Sequence, residues 1–194
     1  MARLDDLRQK VESLYLGKFE TRDIWADWLW PNHVVVVTNN AKAIAERKGA
    51  DAELSQVAAL LHDLADYKMS RMDPGHEAES LKLARELMAE FGYTDDEIAL
   101  VVDDAIRYHS CHGDERPKSK EGLVLATADS LAHLQTNFYV FASWFFGKLD
   151  RDLDSLRDWV LKKIERDLNS KISFDDIREE ARPDYEMLKR LFSR

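Results

Sequence analysis

One cysteine, Cys111, stands among 194 residues, so no internal disulfide can form. A chain without disulfides fits a reducing compartment. Glycine and proline are also scarce, at 7 and 4, too few for the frequent turns of an all-β chain. No run approaches the roughly 20 apolar residues needed to cross a bilayer. The opening MARLDDLRQKVESLY is charged and helical in pattern, with no apolar signal core. The expectation is a soluble, cytoplasmic protein with no membrane partner. Basic residues are outnumbered, 28 Lys and Arg against 37 Asp and Glu, for a formal net charge of -9. That balance argues against extended nucleic acid as a partner, where clustered positive charge is expected. It leaves room for a small anionic substrate held by a local basic patch. Repeats, low-complexity tracts and linkers are likewise absent, so residues 1–194 read as one domain.

What is present is helical periodicity. Hydrophobic residues make up 45% of the chain, enough for a sizeable core, and Leu/Ala/Glu/Lys/Arg segments with helical spacing fill most of it. The class is all-α. Helices are expected over 3–16, 32–48, 52–64, 76–91, 95–109, 121–146, 151–169 and 174–192. The β-branched run Val34 to Val37 would read as a strand in isolation, but NNAKAIAERKGA continues as a helix with Gly49 as its cap. Pro31 suits a first helical turn, and Thr94 with Glu97 makes a capping box. The stretch NFYVFASWFF, 137–146, is apolar on nearly every side. It reads as a buried helix or a subunit interface, which would allow a homodimer.

Several polar residues interrupt these apolar helices. His62 and Asp63 end the run LSQVAALL, and Asp129 interrupts GLVLATADSLAHL. A buried carboxylate costs several kcal/mol unless it is paired or bound to a metal. An isolated His-Asp pair is most simply a hydrogen-bonded or surface pair. With His33 opening one helix and Asp129 inside a later one, however, the set supplies two imidazoles and two carboxylates, suited to a divalent first-row ion. His76 and His109 add two imidazoles at helix ends.

In these residues the chain resembles the HD-domain metal-dependent phosphohydrolases, whose signature is a His, a His-Asp pair and a distant Asp on separate helices. Here those are His33, His62-Asp63 and Asp129. HVVVVTNNAKAIAERKGAD, AALLHDLAD, and IRYHS followed by EGLVLATADSL carry the supporting context. The core resemblance covers about residues 30–135, with the C-terminal helices of 151–192 packing on it. It implies an HD-domain-like helical bundle with its metal site between central helices. Some members hold a second metal through two further histidines, whose order His76 and His109 match. One or two divalent ions are implied, among Mn, Fe, Mg, Zn and Ni. The chain departs from many relatives after Asp129, where ADSLAHL replaces a basic residue followed by another acid, and this bears on substrate class.

The activity implied is hydrolysis of a phosphate ester, in a nucleotide or similar small phosphorylated metabolite, by metal-activated water. Asp63 would bridge two ions, and Asp66 would act as a proton shuttle. Charge in the transition state calls for cationic neighbours. Lys68 and Arg107 are the candidates, with Arg71 near them and Arg116, Lys118 and Lys120 on the 110–120 loop, although any one of these alone reads as a solvated surface charge. Cys111 has no activating base apart from the metal ligands, which argues against a nucleophile, and His112 reads as a loop histidine. His133, four residues after Asp129, can reach that carboxylate. Two other readings fit the same ligands: a di-iron oxygenase on this fold, and a metal-stabilised binding protein without turnover.

Overall fold

The computed structural model describes residues 2–20, 22, 24–148 and 152–193. The described residues are helical, with no strand among them. Helix α1 (Ala2–Leu16) precedes α2 (Ile24–Leu29), which runs through a wider π-helical turn, Trp30–Val34, into α3 (Val35–Lys48). Then come α4 (Ala52–Leu61), a 3₁₀ turn (Leu64–Tyr67) and α5 (His76–Glu90). The short α6 (Asp95–Ile98) continues as a π-helical segment, Ala99–Ile106. Helices α7 (Lys120–Gln135), α8 (Phe138–Gly147) and α9 (Leu153–Arg166) follow; α9 runs into a π-helical turn, Asp167–Lys171, before α10 (Asp175–Phe192). No helix among the described residues is long and apolar enough to cross a membrane.

Local chemistry sets the boundaries. Gly49, at φ 66°, ends α3 in the left-handed region, where the absence of Cβ removes the steric penalty. Asp51 caps α4 by accepting from the Glu53 and Leu54 amides, and Ser119 caps α7 by accepting from Gly122. The expected box at Thr94 and Glu97 is formed. The Val34–Val37 run is helical, as its continuation implied.

Helices α4 and α7 lie inside the bundle and are buried on all sides over most of their length. Leu54 through Leu61 are buried without a break, as are Val124 through Leu134. Helix α7 packs against α3, α4, α10 and the 99–106 and 167–171 segments. Gly122 permits one of these approaches. A Cβ there would stand 2.4 Å from Pro117 Cβ and 3.1 Å from Ala105 Cα.

Three expected boundaries are corrected. The helix expected over 121–146 is two helices, broken at Thr136–Asn137; Thr136 is extended and its hydroxyl accepts from the Phe138 amide. The break turns 138–146 back across the bundle, where Trp25 meets the rings of Phe138, Phe145 and Phe146. The segment around His33 starts at Ile24 rather than 32, so His33 lies inside a continuous helical path and not at its start. Pro31 is accommodated because the turn is widened, with the Val35 amide donating to the Trp30 carbonyl. Helix α4 ends at Leu61, and Asp63 (φ -121°, ψ 35°) has left the helix. The expected start of the next-to-last helix at 151 lies outside the described residues.

Candidate metal centre

His33 comes from the π turn before α3, His62 caps the end of α4, Asp63 follows it, and His109 ends the helical path after Ala99–Ile106. Asp129 sits in the middle of α7. Their donor atoms converge in two adjoining groups, His33–His62–Asp129 and His62–Asp63–His109, each with ligand atoms within 4.8 Å of one another. His33 Nε2 lies 3.3 Å from His62 Nε2 and 3.2 Å from Asp129 Oδ1. His62 Nε2 lies 3.5 Å from Asp63 Oδ2.

The tautomers follow from the other ring nitrogens. His62 Nδ1–H donates to the Ala59 carbonyl at 2.8 Å and His109 Nδ1–H to the Ile106 carbonyl at 2.6 Å. Both bonds leave Nε2 as the unprotonated nitrogen, that of His109 lying 3.3 Å from the Ser110 hydroxyl, the second-layer arrangement that orients histidine ligands. Two Nε2 atoms facing each other cannot both donate, so a shared cation satisfies them better than a hydrogen bond does. His33 Nδ1 is buried and has no hydrogen-bond partner. Burial pushes the His33 imidazole down and that of His109 down to about 4. Both rings are therefore neutral, as ligation requires.

The carboxylates are ionised for the opposite reason. Burial alone would raise Asp63, but the Arg71 guanidinium and the surrounding imidazoles hold it well below the usual carboxylate range. Asp129 is likewise held well below it, burial being outweighed by His133 and Lys171. Neutral imidazoles with ionised carboxylates fit a hard-to-borderline divalent ion.

Around this cluster lies a second layer. Arg71 bridges Asp63, at 2.6 Å, and Asp66. Asp66 also accepts from His76 Nε2 at 2.9 Å; burial lowers the His76 imidazole, but this bond and the charges of Asp66 and Asp63 together raise it. The Asp63 carbonyl accepts from Tyr15 of α1 at 3.1 Å. On the far side, Lys171 donates to Asp129, and His133 Nε2 lies 3.2 Å from the same carboxylate. Lys163 Nζ lies 3.2 Å from His133 Nδ1 and 3.5 Å from Asp167, whose carboxylate stands 3.1 Å from the same ring nitrogen and accepts from the Tyr139 hydroxyl.

Five of the six expected metal ligands meet here: His33, His62, Asp63, His109 and Asp129. His76 is directed at Asp66 and belongs to neither group. Asp66 is buried between Arg71 and His76. Lys68 pairs with Glu79 at 2.6 Å. Arg107 lines the larger of two adjoining cavities, 3.6 Å from Asp103. The loop cations face elsewhere: Arg116 bonds the Gly113 and Glu115 carbonyls, and Lys120 the Gly49 carbonyl. Cys111 is buried, and burial pushes its thiol up, which does not suit a nucleophile.

Two cavities open beside the cluster, one of about 420 Å³ and one of about 180 Å³. Asp63, Arg71, His109, Ser110 and His112 line both. Sequence reasoning missed Lys171, Asp167, Lys163 and Arg166. Lys163, Asp167 and Lys171 recur every fourth residue and so share one helix face; that spacing was the available signal, and charges so placed usually mark a solvated face.

A helical bundle that brings three imidazoles and two carboxylates together in two adjoining groups defines an all-α protein with a histidine–aspartate cluster able to hold a metal ion. The HD domain family model matches residues 32–134, more than half of the chain, and the chain belongs to that family. It is similar in fold to the crystal structure of Bacillus subtilis YpgQ in its selenomethionine form, with a TM-score of 0.70, 23% identity, and 99% of this chain and 91% of that chain covered. It is similar also to Bacillus subtilis YpgQ in complex with ADP, with a TM-score of 0.70, 24% identity, and 98% and 92% covered. No curated protein matches the chain.

Proposed function

We propose that this protein is a metal-dependent phosphohydrolase acting on a phosphate ester of a nucleotide or similar small phosphorylated metabolite. The observation that carries this reading is the pair of donor groups sharing His62, beside cavities into which Arg71 and Lys171 project. His33, His62 and Asp129 would hold one divalent ion, and His62 or Asp63 with His109 a second. A bound divalent ion supplies a water of lowered pKa and neutralises charge on a phosphoryl oxygen.

The chain's own residues do the rest. Arg71 lines both cavities and presents a planar fork to phosphoryl oxygens. Asp66 orients Arg71 and His76, so it acts as a positioning residue whose proton-shuttle role would run through His76. Arg107, on the wall of the larger cavity, is placed for the substrate rather than for the metal. Lys68, paired with Glu79, supports the fold beside the site. The smaller cavity carries Arg71, Lys163, Arg166 and Lys171 against Asp63 and Asp129, an excess of positive charge that favours an anionic substrate and supports hydrolysis of a phosphate ester over the oxygenase reading. The ADP in the YpgQ complex supports the nucleotide class.

The test is elemental analysis of protein purified without chelator, beside a phosphate-ester screen with Mn and Fe. Asp63→Ala should lose metal and reduce turnover by more than about a hundredfold, beyond the range seen for outer-layer changes. A metal-loaded protein that consumes oxygen and leaves every ester intact overturns the reading in favour of an oxygenase.

A further inference from the structure

The smaller cavity holds a cation that the hydrolytic site does not use. Its walls carry Arg71, Lys163, Arg166 and Lys171 against the carboxylates of Asp63 and Asp129. Arg71 and Lys171 bond those two carboxylates, and Lys163 lies 3.5 Å from Asp167. Among the described residues, no carboxylate reaches Arg166 within ion-pair distance. Its guanidinium donates to His112 Nδ1 at 3.0 Å, and its Nε is buried without a hydrogen-bond partner. Arg166 is half-buried on this wall with no carboxylate among the described residues to balance its charge, and an anion in the cavity would supply that partner.

Volume and charge divide the two cavities between two parts of a ligand. The smaller cavity, at about 180 Å³, is less than half the volume of the larger and has room for a phosphoryl group. About 420 Å³ falls in the ordinary range of ligand pockets. The larger cavity also carries Asp73, Glu77 and Glu115 on its wall, which repel a further anion. The planar fork of Arg166 matches a phosphoryl oxygen pair better than a point charge would.

We propose that the smaller cavity is a second anion subsite, with Arg166 as its specificity-determining residue, so that the substrate carries two linked phosphoryl groups. One lies at the metal centre and the other against Arg166, Lys163 and His112, while the uncharged remainder occupies the larger cavity. This rests on the hydrolase reading for its reacting end, but the subsite can be tested by binding alone.

The experiment is calorimetric titration of the metal-loaded full chain with imidodiphosphate, which resists hydrolysis, and with inorganic phosphate. The wild type should hold imidodiphosphate at least about tenfold tighter than phosphate, as expected for added charge-assisted bonds. Arg166→Gln should remove most of that preference while phosphate affinity stays within about twofold. Arg166→Lys, which keeps the charge and guards against a folding defect, should fall between the two. No preference in the wild type, equal weakening of both anions in Arg166→Gln, or an Arg166→Lys protein indistinguishable from wild type overturns the subsite. Turnover of phosphate esters without the preference overturns the subsite alone. A preference intact in a protein that cleaves no ester overturns the hydrolase reading and leaves the subsite standing.

Discussion

Lys171 and Asp129 show how single residues share the electrostatic work of this site. Both are almost fully buried and bonded to each other. Burial of such a pair costs several kcal/mol per charge, offset only while each keeps its partner. Asp129 is also a donor in one of the two groups that could hold a metal ion, and an ion bound there would take over the neutralising role of the lysine. Lys171→Met should therefore cost the metal-free protein about 3 kcal/mol or more. In the presence of saturating metal most of that loss should disappear. Urea denaturation of the chelated and metal-loaded forms measures the difference, and an equal loss in both would mean that Lys171 is a plain structural ion pair. His133 Nε2 lies 3.2 Å from Asp129, its Nδ1 accepts from Lys163 Nζ at 3.2 Å, and burial pushes its imidazole down to about 3. It remains neutral and orients the carboxylate rather than adding charge to it.

At the scale of elements, the ligands are placed by irregularities as much as by helices. His33 rides on a widened turn around Pro31, and Asp63 projects because α4 has ended before it. Lys171 closes the widened turn after α9. The path to His109 is held against α7 at Gly122, where a side chain would meet Pro117 and the backbone of Ala105. Gly122→Ala should cost about 1–3 kcal/mol, the usual penalty for overpacking. It should also weaken metal binding, because it moves the helix bearing Asp129 away from the one leading to His109. Denaturation midpoint and metal stoichiometry of the variant check both, and a stable variant with full metal content would show that the contact relaxes without consequence. These features explain what the sequence could convey. Helical spacing and the Thr94 box are local signals and led to the bundle. The ordered set His33, His62-Asp63, His76, His109 and Asp129 rested instead on the family resemblance, and all but His76 converge. The break at Thr136 depends on how the 138–146 aromatics pack on Trp25, a contact more than 100 positions away in the chain. Lys171, Asp167 and Arg166 look like charges on an ordinary amphipathic helix until the fold turns that face onto Asp129.

For the whole molecule, the stretch that matches the family model does not coincide with the structural unit. Residues 32–134 contain all five converging ligands. What steadies them lies partly outside: Tyr15 on the Asp63 carbonyl, and Lys171 and Asp167 behind Asp129 and His133. Leu168 and Ile172 are fully buried in the common core, each contributing about 2 kcal/mol of apolar burial. The Ser173 amide bonds the Thr127 hydroxyl of α7 at 3.2 Å. A stability of typically 5–15 kcal/mol does not withstand the loss of all these contacts at once. A chain cut after residue 150 should therefore fail to melt cooperatively and should retain less than about a tenth of the metal affinity of the full chain, a loss at least as large as that seen when second-layer partners are removed. Circular dichroism melting with metal titration tests this directly. If the shortened chain instead melted as one unit and bound metal as tightly as the full protein, α9 and α10 would be an appendage and the single-domain reading would fail. The expected result would mean that the metal centre is built by the entire bundle, with the C-terminal helices supplying the buried charge that keeps Asp129 ionised.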